Sequence, residues 1–204
     1  MRITRQLLPA LALALASVPS WAAFSTYTNS ADFLAQVAPG SYTESFDGLP
    51  QPPVGPVSFA SGGFGYSASA PSDIYFGADL LGASGQDEDL TVVFTSGNVK
   101  AFGANFFATD LADDFQQVLV SLLMSDGSRV EFTPTDIASS YRGFVSDVAF
   151  TSVTFKAPGQ SLYAGLDNLT VGTTPRGHDV PEPTSLALVG LAAAGLFASR
   201  RRAA

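Results

Sequence analysis

The chain has no cysteine, one histidine and one tryptophan among its 204 residues. Without thiols there can be no disulfides, thiolate metal sites or cysteine nucleophiles. Core packing must hold the fold, with a bound ion as the remaining aid. The histidine, His178, lies in "TVGTTPRGHDVPEP", a stretch rich in Thr, Pro and Gly with no hydrophobic periodicity. A histidine there is badly placed to serve a serine triad or a zinc centre. Bases are scarce as well. Between Ala23 and Asp179 there are 17 Asp and Glu against five Lys and Arg: Lys100, Arg129, Arg142, Lys156 and Arg176. So acidic a surface repels phosphate backbones and excludes nucleic acid as a partner. No phosphate loop is present either. "SGGFGYS" (Ser61 to Ser67) has no lysine and no helical pattern behind it, so it reads as turn and strand.

Long apolar runs are also missing, but short ones stand at both ends. "MRITRQLLPALALALASVPSWAAF" has Arg2 and Arg5, then an apolar core from Leu7 to Val18, then small residues. This is the pattern of a secretory signal over residues 1–22, cut by signal peptidase after Ala22. An uncleaved N-terminal anchor is the alternative. Trp21 would leave with the signal, which deprives any sugar cleft of its best stacking ring. At the other end, residues 184–199 are apolar and would cover about 24 Å as a helix, short of the ~30 Å hydrocarbon core. Arg200, Arg201 and Arg202 follow, can snorkel to the interface, and favour a cytoplasmic end. The acidic domain is then placed across the membrane, in agreement with the leader.

Val180, Pro181, Glu182 and Pro183 precede that apolar segment, and the prolines keep the chain extended and postpone the helix. Pro-Glu-Pro, short apolar helix and arginine cluster together resemble the PEP-CTERM sorting signal of Gram-negative bacteria, here over residues 180–204. The resemblance implies an exosortase, a membrane cysteine protease, as processing partner, with transient residence in the inner membrane through the C-terminal helix. It implies a membrane-anchored precursor that becomes a cell-envelope or extracellular protein, with Glu182 and its neighbours as a processing motif. It also implies a setting in exopolysaccharide or biofilm, which exosortase systems accompany. A plain C-terminal anchor is the competing reading. Residues 173–179 form the linker to this tail.

Residues 23–172 remain as one domain, and most of it reads as strand. "DLTVVFTS" puts Leu90, Val92 and Phe94 on one face, and "NVKAFGANFFA" alternates likewise. "FQQVLVSLLMSDGSRVEFTP" is a hairpin around Asp126-Gly127, while "AFTSVTFKAP" and "AGLDNLTVG" add two more strands. One short helix is expected near "SADFLAQV", capped by Ser30, with Phe33, Leu34 and Val37 on one face. The fold class is all-β, an antiparallel two-sheet sandwich whose phenylalanines are mostly core. The early "YTESFDGLP" and the closing "GLDNLTV" make it similar to jelly-roll domains, carbohydrate-binding modules and lectin-like domains among them.

Three chemistries fit these residues. A calcium ion is expected if the strands carrying "YTESFDG" and "GLDNLTV" pair, bringing Glu44 and Asp47 towards Asp167 and Asn168. Sugar binding would use Tyr66, Tyr75, Tyr141 or Tyr163 as stacking rings. A glycosidase pair would have to come from Asp87-Glu88-Asp89 or from Asp110, Asp113 and Asp114, runs that read more simply as solvated loops. The expectation is a non-enzymatic exported protein with no catalytic residues, and a carbohydrate-binding module as its rival.

Overall fold

The structure, a computed structural model, describes residues 24–52 and 54–175. The segment expected to be a secretory signal, most of the linker and the whole sorting tail lie outside the described residues. In chain order the strands begin with β1 (Phe24–Tyr27), β2 (Tyr42–Glu44), β3 (Val57–Ser61), β4 (Phe64–Ser69) and β5 (Ile74–Gly77). There follow β6 (Leu80–Ala83), β7 (Leu90–Phe94), β8 (Ala101–Thr109), β9 (Phe115–Gln116) and β10 (Val120–Met124). The last four are β11 (Arg129–Phe132), β12 (Tyr141–Ser146), β13 (Ser152–Phe155) and β14 (Tyr163–Gly172). A single turn and a half of helix, α1 (Ser30–Leu34), joins β1 to β2.

All the recorded strand pairings are antiparallel, and they form two sheets. The larger has eight strands in the order β1-β12-β8-β14-β6-β5, with β2 added to β14 and β9 to β8. The smaller has six, in the order β11-β10-β13-β7-β4-β3. This is the expected two-sheet sandwich. Eleven of the 16 phenylalanines are buried, so the rings are core material rather than binding surface. Phe102 sits among Phe94, Phe144 and Phe150, with ring centroids 4.9–5.0 Å apart. Such offset and edge contacts add to the stabilisation from burying each ring.

The local readings hold with three instructive differences. Leu90, Val92 and Phe94 are buried while Val93 is 40% exposed, the period-two pattern of a strand with one face in the core. β10 and β11 form the Asp126-Gly127 hairpin, with Leu123 opposite Arg129; Gly127 takes φ +85° and Asp126 accepts from the Ser128 N–H. The start of that apolar run does something else. Phe115 and Gln116 leave the hairpin and pair with Thr109 and Ala108 on the other sheet. The helix is capped one residue earlier than expected, by Asn29, whose side chain accepts from the Asp32 N–H at 2.8 Å. Only Phe33 of its predicted apolar face is fully buried; Leu34 is 47% exposed. Lastly, β1 precedes "YTESFDG" and pairs with β12, so the early strand that joins β14, beside its partners β8 and β6, is the second in the chain and not the first.

β8 is buried on both faces except at Asn105. Its inward residues Phe102, Ala104 and Phe106 meet the main core. Outside, Ala101 packs with Phe33 and Tyr141 in a small second cluster. Phe33 lies over Gly143 and Tyr141 over Gly103, where any Cβ would collide with the ring above it. Helix α1 therefore closes one half of the outer face of the larger sheet. The loop after β8 reaches over the other half, where Leu80, Phe107 and Thr109 are also buried and Phe115 packs against Phe107.

Candidate functional site

The acidic run Asp87-Glu88-Asp89 proves to be structural cement. Asp87 accepts from the backbone N–H groups of Ser161 and Leu162, at 3.1 and 3.3 Å. That holds a turn in which Gln160 and Ser161 both take positive φ. Glu88 accepts from the Ser72 hydroxyl and backbone N–H. Asp89 pairs with Lys156 and accepts from the Ala157 N–H. Partial burial raises the Asp89 carboxyl, but Lys156 and Ala157 outweigh it and hold the group below its usual range.

Glu44, Asp47, Asp167 and Asn168 share one corner of the larger sheet, because β2 pairs with β14 and places Glu44 opposite Leu169. One Glu44 oxygen accepts from the Tyr42 hydroxyl at 2.6 Å and the other from the Phe46 N–H at 3.3 Å. Asp47 accepts from the Ser45 hydroxyl, and Asp167 from both the backbone and side-chain N–H groups of Asn168. Asn168 takes φ +54° beside a register shift in the ladder with β8. Among the described residues no three Asp, Glu or His side chains are grouped so as to hold a metal ion.

The corner has a titration of its own. Burial, with added repulsion from Asp47 and Asp79, pushes the Asp167 carboxyl up to about 6. An acid whose pKa is raised on folding favours the folded state fully below its unfolded value, near 3.8. That contribution is lost as the pH rises through about 6. Asp167 is half-buried, so solvent screening reduces the effect to about 1 kcal/mol. Asp167→Asn is accordingly expected to raise the unfolding midpoint at pH 7 by roughly 3 °C and to leave it unchanged at pH 4. Thermal melts of both proteins across that range check it. An equal shift at both pH values would show that the carboxylate's charge is not the cause.

The four tyrosines part company. Tyr66 is fully buried, stacked between Tyr42 and Phe59, and Tyr141 is 5% exposed beneath α1. Both hydroxyls are buried without a hydrogen-bond partner among the described residues, and burial raises both pKa values. Neither can meet a ligand. Tyr75 and Tyr163 instead line one cleft of about 160 Å3 on the part of the larger sheet's outer face away from α1.

Register explains why these two converge. Tyr75 stands opposite Gly82, Gly82 opposite Gly165, and Tyr163 opposite Thr109, so all project from the outer face. The tight turn between β5 and β6 uses Ala78 and Asp79, both at positive φ, which brings Leu80 back alongside Tyr75. Leu80 lies over Gly82 and Gly165, while the Tyr75 ring lies over Gly77. Side chains at those glycines would fill or distort the cleft. The loop after β8 forms the rim. Asp110 accepts from the Ala112 N–H, the Asp114 N–H and the Gln116 side-chain amide, at 2.9–3.2 Å. This arrangement holds Asp113 at φ +63° with its carboxylate 2.8 Å from the Tyr75 hydroxyl. That hydrogen bond, chiefly, raises the Tyr75 pKa.

In the sequence Tyr75 and Tyr163 stand as stacking rings and Asp110 and Asp113 as loop acids, with nothing that joins them. Their convergence was not foreseen. The available sign is the single glycine two residues after Tyr75 in "YFG" and after Leu80 in "LLGAS", which leaves bare sheet beside larger residues.

Fold and cleft define an acidic, two-sheet antiparallel β-sandwich domain with a cleft on the outer face of its larger sheet. The particular kind of protein comes from the tail. The model of the PEP-CTERM protein-sorting motif matches residues 179–202, so the chain carries the sorting signal of an exosortase substrate, exported and processed at the membrane. Comparison with curated proteins and with solved structures finds no match.

Proposed function

We propose that the processed domain is a non-enzymatic protein of the cell envelope or extracellular matrix, held in exopolysaccharide. The sorting motif at residues 179–202 carries this reading, because it sends the domain outward after processing. The chemistry of the domain supports it. The Asp87-Glu88-Asp89 carboxylates are engaged in pinning loops, which suits a durable scaffold better than general acid and base work. A surface of strong negative charge also keeps an exported protein soluble and dispersed among neutral polymers.

Fractionation of the producing cells tests it. The protein is expected to sediment with the polysaccharide of the envelope or matrix and to be released by glycoside hydrolase treatment, not by salt. Recovery as free protein in the medium, with none in the polysaccharide fraction, would contradict the reading. So would glycan turnover lost on replacing a single carboxylate.

A further inference from the structure

We infer that the cleft between Tyr75 and Tyr163 is a binding site for one neutral pyranose unit of a polysaccharide. This inference rests on the matrix reading above and gives that reading a point of contact.

Size comes first. A cleft of about 160 Å3 is close to the ~150 Å3 of a cavity that holds a single six-membered ring. That matches a single sugar ring and falls short of the ~300 Å3 at which clefts for larger ligands begin. Shape and chemistry then agree. A pyranose has apolar C–H faces and a rim of hydroxyl groups. Tyr75 and Tyr163 supply flat apolar surfaces with polar ends, and Leu80 over the bare glycines supplies an apolar floor. Asp113, Thr109 and Ser84 supply oxygen acceptors at the edge.

Charge selects among sugars. Asp110 and Asp113 at the rim repel uronic acids and sugar phosphates. Asp110 is fully engaged with its own loop, and one Asp113 oxygen accepts from Tyr75. What remains is an acceptor for hydroxyl donors, with no set of free carboxylates for an ammonium group.

The cleft is also held ready before any ligand arrives. The Tyr75 hydroxyl donates to Asp113, the bare Gly77 leaves room for the Tyr75 ring, and the Asp113 N–H donates to the Asp110 carbonyl. A site fixed in advance loses little freedom on binding. Gly77 is thus a positioning residue that never touches the sugar.

The experiment uses the full protein recovered from its host, with neutral glucan, galactan and mannan oligosaccharides as probes. A polyuronate and chitosan serve as charged controls. At least one neutral probe is expected to bind at or below millimolar concentration, with neither charged control preferred. Tyr163→Ala should weaken binding by roughly tenfold or more, and Gly77→Ala by a smaller factor through displacement of Tyr75. Tyr66→Phe, remote in the core, should leave affinity unchanged and serves as the control for altered stability. No binding to any neutral probe, equal affinity in wild type and Tyr163→Ala, or preference for a charged control would each overturn the assignment. A Tyr163→Ala protein that still sediments with matrix polysaccharide would refute the cleft and spare the matrix reading. A wild-type protein that binds neutral probes but never sediments with the matrix would do the reverse.

Discussion

Phe102→Ala is expected to cost the domain about 3–5 kcal/mol of folding stability, the largest effect of any single core truncation here. Phe102 lies on the central strand β8 and is fully buried. Its ring is held by Phe94 from the smaller sheet and by Phe144 and Phe150. Those neighbours belong to different strands and loops, so they cannot all move inward to fill the space. The loss is therefore the transfer free energy of a ring plus the residual cavity. Against a total of about 5–15 kcal/mol for an ordinary domain, this is a large share. Denaturant titration gives the number directly. Phe115→Ala supplies the comparison: Phe115 is half-buried on the two-residue strand β9, and its loss should cost about 1 kcal/mol. Equal costs at the two positions would mean that the core is not organised around the rings of β8.

Glu182→Ala is expected to stop processing while leaving the domain intact. Glu182 lies inside the matched motif, between Pro181 and Pro183. A protease site built to pair a carboxylate leaves its own polar groups unsatisfied when that carboxylate is missing. Such mismatches reduce turnover by factors of about 100 or more. Processed protein should fall by at least that order, and unprocessed chain should collect in the membrane fraction. The unfolding midpoint of the domain should stay at the wild-type value. Normal processing of Glu182→Ala would remove the motif's central residue from recognition.

Much of this architecture is readable from residue order, and the limits have physical causes. Period-two alternation places Leu90, Val92 and Phe94 inward without reference to any distant residue. Asp126-Gly127 fixes its hairpin because the turn is closed by neighbours in sequence. β8 misleads because both its faces are buried: α1 and Tyr141 cover one end of the outer face and Phe115 the other, and alternation says nothing about a lid arriving from 70 residues away. Phe115 and Gln116 look continuous with β10, yet a two-residue pairing across the sandwich takes them. Glu44, Asp47, Asp167 and Asn168 meet at one corner because β2 pairs with part of the ten-residue strand β14. Which oxygens they present depends on local partners such as Tyr42 and Phe46, and those are set only in the folded chain. The cleft was the least legible feature. Its four walls come from β5, β6, β14 and the loop after β8, and only register brings them together.

The account depends above all on outward sorting through the C-terminal segment. The most direct measurement is the intact mass of the protein recovered from the envelope and the medium of its host. The expected mass ends at or near Pro181–Pro183 and lacks the apolar segment and Arg200, Arg201 and Arg202. A mass that still includes Ala204 in every fraction would make the tail a permanent anchor and contradict the account.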